Sequence, residues 1–293
     1  MKYLNLLLIM GVYSLCYIGI KFGLPHSPPL LFGGLRVALG GLALLGLMLG
    51  TKSPWWPKNT PLKWLLLLGF VATAASTATM FLAAKHGSAG MAAVLGNMQP
   101  ILTLVLALAI LRERVTAGKV KAAVLGVGGI VLITVPVFRM GGSGQFEGAA
   151  LALGSSAIVA TANILVKRFI PKEEILTASA WQLVMGCVPL LVASALTENW
   201  AKFHAAPGFI GLLLFLGLIG TGYNTFAWYR LVKREDVGFI SMFYFVVPVI
   251  GLISGWLVFG ERLVVVQWIG VAVIAGALFF LAKENRSQPE VAA

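Results

Sequence analysis

The chain has 293 residues, of which 59% are hydrophobic and only 11% are charged, and its net charge at pH 7 is +12. A soluble domain carries about 25% charged residues, so this composition excludes an ordinary soluble protein and indicates a surface that mostly faces lipid. The basic residues form short clusters between apolar runs, which is typical of loops beside anionic headgroups. We therefore expect membrane lipid as a partner and no nucleic acid.

Ten apolar segments follow one another along the chain, and each is long enough to cross the roughly 30 Å hydrocarbon core as a helix. The sequence therefore predicts an all-α membrane protein with ten transmembrane helices. The predicted spans are residues 3–21, 30–49, 62–84, 90–111, 118–138, 147–166, 176–196, 208–231, 238–259 and 264–282.

The segments beside the spans suggest how the chain is divided. The first apolar run is not followed by a small-residue cleavage pattern, so we expect it to be retained as a helix. Trp55 and Trp56 lie in a proline-flanked loop, as is typical of a membrane interface. A glycine-rich stretch at 139–144 lies near the middle of the chain. We predict a first five-helix repeat over 1–140, a linker over 141–146, a second five-helix repeat over 147–283 and a disordered cytoplasmic tail over 284–293.

The distribution of Lys and Arg predicts the orientation in the membrane. With the N-terminus in the cytoplasm, the inside segments hold 16 basic residues and the outside segments hold 5, while Arg36 lies within a span. Cytoplasmic loops are enriched in Lys and Arg. We therefore expect a multi-pass protein of the inner cell membrane with both termini in the cytoplasm.

The two halves of the chain are related by an internal repeat. Because each half has five spans, an odd number, the second half enters the bilayer inverted relative to the first. An offset of 148 residues pairs Gly69 with Gly217, Thr73 with Thr221, Thr77 with Thr225, Pro100 with Pro248 and Glu113 with Glu261, and an offset of 146 pairs Arg36 with Gln182 and Gly40 with Gly186. Inverted repeats underlie alternating access in many transporters. They also occur in channels, and a duplication kept only for structural reasons is a further interpretation.

Both halves share a proline followed 13 residues later by Glu-Arg, as Pro100 before Glu113-Arg114 and Pro248 before Glu261-Arg262, with a glycine-rich helix after each. In these features the chain resembles the drug/metabolite transporter superfamily, and within it the ten-span EamA branch, over residues 3–282. The first copy reads Leu-Arg-Glu instead of Gly-Glu, a small departure. The resemblance implies a central cavity between the repeats and export of amino acids or related metabolites.

The spans lack the residues that membrane enzymes need. All ten acidic residues lie at span ends, in loops or in the tail, and all three histidines fall in predicted outer loops. The sequence therefore predicts no carboxylate pair, catalytic triad, metal site or cofactor within the membrane, and no enzyme. Because no acidic residue lies inside a predicted span, the sequence also argues against a proton relay through membrane carboxylates. Cys16 and Cys187 lie in apolar runs, and we interpret both as small packing residues.

Arg36 is the strong charge within a span, so it is a candidate for a role near the substrate or the gate. A structural role, in which it satisfies backbone carbonyls, is the alternative. Gln182 is its partner in the repeat. Thr73 with Thr77, and Thr221 with Thr225 continued by Trp228, form polar stripes on the third and eighth spans, and Ser76 matches Asn224 across the repeat. Cavity lining and helix–helix hydrogen bonding both explain these stripes.

Further candidates line the remaining spans. Pro100 and Pro248 are predicted to kink or hinge their helices, while Glu113 and Glu261 are predicted to be structural or gating residues that pair with Arg114, Arg262 or the N-terminus of the next helix. Packing is the other interpretation of each remaining binding candidate. The complete predicted substrate-binding set is Tyr13, Tyr17, Arg36, Thr73, Thr77, Asn97, Gln99, Asn163, Trp181, Gln182, Thr221, Asn224, Trp228 and Tyr244.

An aromatic and amide cavity of this kind suits neutral or zwitterionic molecules with an apolar body. The leading hypothesis is an alternating-access exporter of a small-molecule substrate, with a cavity built from spans 1, 3, 4, 6, 8 and 9. A lipid-modifying membrane enzyme, a non-transporting assembly subunit and a channel are the alternatives. Gly251 and Gly255 favour close helix packing, which is compatible with a monomer or a homodimer.

Overall fold

The computed structural model describes residues 2–51, 53–86, 97–138, 145–259 and 263–287, and these residues are helical with no strand among them. They form ten helices. In chain order these are α1 Lys2–Gly23, α2 Pro29–Thr51, α3 62–86, α4 Gln99–Leu111, α5 Ala117–Phe138, α6 Gln145–Phe169, α7 Ile175–Thr197, α8 Pro207–Arg234, α9 237–259 and α10 Val265–Ser287.

The described helices confirm the prediction of a ten-helix, all-α membrane protein. Nine of them are long and apolar enough to span a bilayer, and α4 is a shorter apolar helix. The start predicted for the fourth span, residues 141–144 of the predicted linker and Glu261 all lie outside the described residues, while α6 begins at Gln145, within the predicted linker. Helix α10 continues to Ser287, so helical structure extends into the segment predicted to be a disordered tail, whose remaining residues are also outside this range.

Prolines begin several of these helices. Pro29 and Pro207 are the first residues of α2 and α8, and Pro100 lies in the first turn of α4. Proline is well suited to these positions because the first N–H groups of a helix have no partner within the helix and its φ angle is already helical. Helix α4 ends at Arg112, whose positive φ of 56° terminates the helix in the left-handed conformation.

Two helices are widened to π-helix at equivalent places in the repeat. In α3 this segment is Gly69–Ala75 and in α8 it is Phe215–Tyr223. A π-turn carries one extra residue relative to the α-helical ladder and redirects the side chains around it, and such turns are common at functional sites. In α9, a short 3-10 segment, Met242–Phe245, interrupts the helix.

Most of the close helix packing joins one half of the chain to the other. Helix α2 packs against α7 and α8, α5 against α10, α1 against α9, and α6 against α3 and α4. The Ser14 hydroxyl donates to the Val247 carbonyl over 3.0 Å, which joins α1 to α9. The Gln267 side chain donates to the Ile133 carbonyl over 3.3 Å, which joins α10 to α5. The two repeats are therefore interleaved instead of forming two separate bundles.

Glycines create two close helix crossings related by the repeat. Where α2 crosses α8, a Cβ on Gly40 would lie 3.0 Å from the Gly217 carbonyl oxygen and 3.0 Å from the Gly222 nitrogen. Where α7 crosses α3, a Cβ on Gly186 would lie 2.5 Å from the Gly69 carbonyl oxygen. Backbone approaches backbone at both crossings, as small residues permit between membrane helices.

Carboxylates cap helix N-termini across the two halves of the chain: a carboxylate in one half accepts hydrogen bonds from the first N–H groups of a helix in the other half. At the end of the bundle where α1 begins and α10 ends, called here the terminal end, Glu113 accepts hydrogen bonds from the backbone nitrogens of Val237 at 2.9 Å and Gly238 at 3.0 Å. Beside it, the Lys119 ammonium lies 2.6 Å from Asp236. These contacts satisfy the exposed N–H groups of α9 and complement its dipole.

A carboxylate also caps a helix N-terminus at the opposite end of the bundle. Glu198, just after α7, accepts hydrogen bonds from the backbone nitrogens of Leu30 at 2.8 Å and Leu31 at 2.9 Å. The Ser194 hydroxyl donates to the same carboxylate over 2.7 Å. The first turn of α2 is thereby held against the end of α7.

Candidate functional site

A cavity of about 130 Å³ lies inside the bundle, among α1, α2, α3, α6, α7, α8 and α9. This volume has room for several water molecules. The expected lining helices included α4, whereas the described lining residues come from α2 and α7 in its place. Arg36 on α2 and Gln182 on α7 are the residues through which these two helices reach the cavity, together with their neighbours Val37 and Leu183.

Eleven of the fourteen predicted substrate-binding residues line this single cavity. They are Tyr13, Tyr17, Arg36, Thr73, Thr77, Asn163, Gln182, Thr221, Asn224, Trp228 and Tyr244. They come from seven helices, so the fold brings together residues that are more than 200 positions apart in the chain. Their role in binding a substrate stays a prediction.

Trp181 lies elsewhere. Its indole nitrogen donates to the Trp55 carbonyl over 2.7 Å, and its ring packs edge-on against Trp55 and Trp56, with ring centroids 6.2 and 5.0 Å away. The cause is helical geometry, since adjacent residues point in directions about 100° apart, and Gln182 already faces the cavity. Trp181 belongs to an aromatic cluster at the terminal end.

Asn97 and Gln99 also lie outside the cavity lining. Asn97 is in the turn that precedes α4, and Gln99 is the first residue of α4. Pro100 is in the first turn of a described helix, and residues 87–96 before it lie outside the described residues, so its role as a kink or hinge stays a prediction. Pro248 follows the 3-10 segment of α9 and has no N–H to donate to the Tyr244 carbonyl, which accepts a hydrogen bond from a backbone N–H at the end of that segment instead.

Arg36 is the charged side chain at the cavity, and it is only 6% exposed. Its Nε donates to the Thr221 hydroxyl over 2.6 Å and its Nη2 donates to the Gly220 carbonyl over 3.3 Å. Thr221 in turn donates to the Leu216 carbonyl over 2.9 Å, within the π-segment of α8. The guanidinium is therefore held across the α2–α8 crossing, and its Nη1 is buried with no hydrogen-bond partner.

Amides and aromatic rings form the rest of the wall towards the terminal end. The Trp228 indole donates to Asn163 Oδ1 over 2.9 Å, and the Gln182 amide donates to the Tyr229 hydroxyl over 3.2 Å. The Tyr244 ring lies edge-on to Trp228, with centroids 4.9 Å apart, and edge-on to Tyr13, with centroids 5.4 Å apart. These residues form the boundary of the cavity nearest the terminal end.

The two ends of the cavity differ in exposure. Trp228 and Tyr244 are buried, and beyond them lies the largest apolar cluster of the described residues. Towards the opposite end, Tyr17 is 45% exposed, and Met80 and Ser155 are partly buried. The cavity is closed at the terminal end and more accessible from the other.

Some lining residues were absent from the predicted set. They are Cys16, Val37, Ala72, Ser76, Met80, Ser155, Val159, Ala162, Leu183, Gly220, Thr225 and Tyr229. The repeat offset pairs Ser76 with Asn224, which was a usable signal. Cys16, interpreted as a packing residue, lies at the cavity wall. Its apolar sequence context carries no indication of this position.

Of the two predicted gating carboxylates, Glu113 is described and Glu261 is not. Glu113 binds the N-terminus of α9, in the other half of the chain, and not that of the next helix. Burial raises the pKa of Glu113, and the neighbouring Asp236 charge raises it further, while the hydrogen bonds from Gly238 and Val237 lower it. Within the described residues, no group of three His, Cys, Asp or Glu side chains is arranged to hold a metal ion.

Comparison with known families gives a match over almost the whole chain. A family model described as the EamA-like transporter family matches residues 1–135 and 146–283. The chain is similar at 27% identity to a probable amino-acid metabolite efflux pump of Salmonella typhimurium, with 93% of this chain and 92% of the relative covered. A protein of the same description from Escherichia coli is 26% identical, with the same coverage.

Two further similarities extend over the full length. An uncharacterised transporter of Archaeoglobus fulgidus is 24% identical over 97% of this chain and 99% of its own. A solved crystal structure superposes on 97% of this chain and 97% of its own with a TM-score of 0.78 at 18% identity, which shows a common fold.

Proposed function

The chain belongs to the EamA-like transporter family, so it is a multi-pass membrane transporter of small metabolites and not an enzyme, and we propose that it exports amino acids and related metabolites through the cavity described above. Two relatives that span nearly its full length are described as probable amino-acid metabolite efflux pumps. The observation that carries the proposal is the polar cavity enclosed by seven membrane helices.

The chemistry of the wall supports a transported molecule and not a structural core. Hydroxyls, amides and one guanidinium meet inside an apolar bundle, where polar groups without partners are destabilising. Aromatic rings adjoin them at the terminal end. Such a surface suits a small molecule with polar groups at one side and an apolar body at the other.

The proposed mechanism is alternating access. The protein is proposed to lie in the inner membrane, with the terminal end of the bundle facing the cytoplasm. The excess of Lys and Arg predicted for that side supports this orientation. The described conformation is then closed to the cytoplasm by the Trp228–Tyr244 cluster and by the contacts of Glu113 with α9. Release of cargo to the outside would use this state, and loading would require those contacts to separate.

The two five-helix repeats are proposed to be inverted copies whose equivalent positions exchange roles between the inward and outward states. The interleaved packing of α2 with α7 and of α5 with α10 favours moving groups that each contain helices from both halves. This differs from the rocking of one intact repeat against the other.

Flux through the purified protein in liposomes tests the proposal. We expect saturable uptake of at least one radiolabelled neutral amino acid, with acceleration by the same compound on the other side of the membrane. If correctly inserted protein gives no flux of any compound in a broad panel of amino acids and nucleosides, the proposal is overturned and an assembly subunit is favoured. Unsaturable flux would favour a channel.

A matched pair of substitutions on α6 locates the path. Ala162 is 3% exposed and lines the cavity, whereas Ala157 is exposed on the outside of the same helix. We expect Ala162→Phe to reduce flux at least about tenfold by filling the cavity, and Ala157→Phe to leave it unchanged. Equal flux in both variants, each monodisperse, would place the path elsewhere.

A further inference from the structure

Unpartnered polar atoms are concentrated at the cavity. Among the described residues, eight buried side-chain nitrogen or oxygen atoms have no hydrogen-bond partner, and five of them belong to cavity-lining residues. Buried polar groups in folded proteins are almost always hydrogen-bonded, so each exception requires an explanation. The five atoms are Arg36 Nη1, Thr73 Oγ1, Asn163 Nδ2, Gln182 Oε1 and Asn224 Oδ1.

Arg36 differs from the other four because it is charged and held in place. Thr221 and Gly220 occupy its Nε and Nη2, so Nη1 remains with two N–H groups and no acceptor among the described residues. An anchored guanidinium loses little conformational freedom when it binds an anion. A carboxylate is the acceptor that matches it best, since hydrogen bonds between charged groups are about twice as strong as neutral ones.

The charge of Arg36 has no counterion among the described residues of the cavity wall. These lining residues include no Asp, Glu, Lys or His, so the described wall carries a single positive charge. A low-dielectric site of one sign attracts ligands of the opposite charge and repels those of the same charge. A molecule with net positive charge would enter this site against Arg36 with no carboxylate to offset the repulsion.

Groups suited to an amino group and an apolar body also lie in the wall. Gln182 Oε1 and Asn224 Oδ1 are acceptors without partners, and the rings of Tyr13, Trp228 and Tyr244 are close to one another. Aromatic faces and amide oxygens hold an ammonium without a full negative charge. A zwitterion therefore finds partners for both of its charges here.

We infer that the cavity selects molecules that carry a carboxylate and no net positive charge, with Arg36 as the partner of the carboxylate. The inference rests on the proposed transport function and narrows its cargo to anions and zwitterions. It predicts that organic cations, amino-acid amides and basic amino acids are poor cargo.

The test compares three forms of one carbon skeleton in proteoliposomes. Alanine, leucine and phenylalanine are each measured beside the corresponding carboxamide, and the corresponding deaminated carboxylate is used as a competitor. We expect each amino acid to be transported at least about tenfold faster than its amide, the lower end of what one hydrogen bond to a charged group contributes. We also expect the deaminated carboxylate to inhibit.

Variants at Arg36 separate binding from a structural role. Arg36→Gln should bring the ratio of amino-acid flux to amide flux close to one, and Arg36→Lys should retain a preference for the amino acid. A purely structural role would lower all fluxes together and leave the ratio unchanged. Arg168→Gln, which removes a basic residue exposed at the end of α6, is the matched control and should preserve the ratio.

The outcomes distinguish this inference from the proposed function. Equal transport of amino acids and amides by the wild-type protein would overturn the inference and leave the transport function intact. No flux of any compound would overturn the transport function, and the inference with it. If Arg36→Gln does not fold, the wild-type substrate series decides by itself.

Discussion

The α2–α8 and α7–α3 crossings are equivalent in the repeat, yet they differ in their polar contacts. Both bring backbone against backbone at glycines, Gly40 against Gly217 in one and Gly186 against Gly69 in the other. At the first, Arg36 donates to Thr221. At the second, the equivalent threonine, Thr73, has a buried hydroxyl with no partner. Duplication preserved the packing, while the side chains that face the cavity diverged.

The difference indicates which positions must be alike in the two repeats and which can differ. Backbone contact leaves no room for a side chain, so the glycines at both crossings are constrained alike. A residue that faces a cavity is constrained by what enters the cavity instead. One charge in the wall, and not two related by the repeat, is consistent with a ligand that has one carboxylate.

The largest expected effect comes from adding a methyl group at the α7–α3 crossing. We expect Gly186→Ala to lower the free energy of unfolding by about 3 kcal/mol, because the new Cβ would lie 2.5 Å from the Gly69 carbonyl oxygen and closer still to Thr73. Thermal unfolding in detergent measures this loss.

Two matched glycine variants sharpen that measurement. Gly40→Ala places its Cβ at 3.0 Å from the nearest atoms, so its loss should be smaller than that of Gly186→Ala. Gly46→Ala on α2 meets nothing within 4 Å and should be neutral or slightly stabilising. If Gly186→Ala were as stable as Gly46→Ala, the two helices would not be in backbone contact.

The next effect separates the two threonines. Thr221→Val leaves the Arg36 Nε without an acceptor in a buried site, so we expect a loss of about 2 kcal/mol in the free energy of unfolding. Thr73→Val removes a hydroxyl that has no partner and should change stability by less than about 0.5 kcal/mol. Urea or thermal unfolding of both variants measures the contrast, and equal losses would contradict the difference between the crossings.

The smallest effect concerns the terminal end, where the first half binds α9 through Glu113. Burial and the Asp236 charge raise the pKa of Glu113 above its ordinary 4.5, so the folded state favours the protonated carboxyl. The stability from this proton is fully present below about pH 4.5 and is lost as the pH rises through the raised pKa. Since Gln is the neutral isostere of the protonated carboxyl, the melting temperature of wild-type protein should fall relative to that of Glu113→Gln between pH 4 and 7.

Glu173→Gln, which removes a carboxylate exposed at the protein surface, is the matched control variant. A melting temperature of wild-type protein that rises with pH relative to that of Glu113→Gln would have the wrong sign. It would show that the hydrogen bonds from Val237 and Gly238 outweigh the burial of the carboxylate.

Most of the helices and the core of the candidate site could be predicted from sequence because two strong signals coincide. Apolar length defines the spans, and the repeat offset pairs Arg36 with Gln182 and Thr73 with Thr221, which all line the cavity. Trp181 was misplaced because membership of a span does not determine the face of the helix. Its neighbour Gln182 points in a different direction.

Other features leave no periodic pattern in the sequence. The π-segments Gly69–Ala75 and Phe215–Tyr223 lie inside continuous apolar runs, so composition alone does not reveal them. Cys16 reaches the cavity only because α1 is rotated to place Tyr13 and Tyr17 there as well.

The interleaved packing also sets an order of events during synthesis. Helices α2 and α5 pack against α7 and α10, which leave the ribosome more than a hundred residues later. At about 5–20 residues per second, the first five helices spend roughly 7–30 s in the bilayer before their partners arrive. During that interval the glycine faces of α2, at Gly34 and Gly41, have no protein surface to contact. Until the second half has been synthesised, these faces of the first half therefore contact lipid instead of protein.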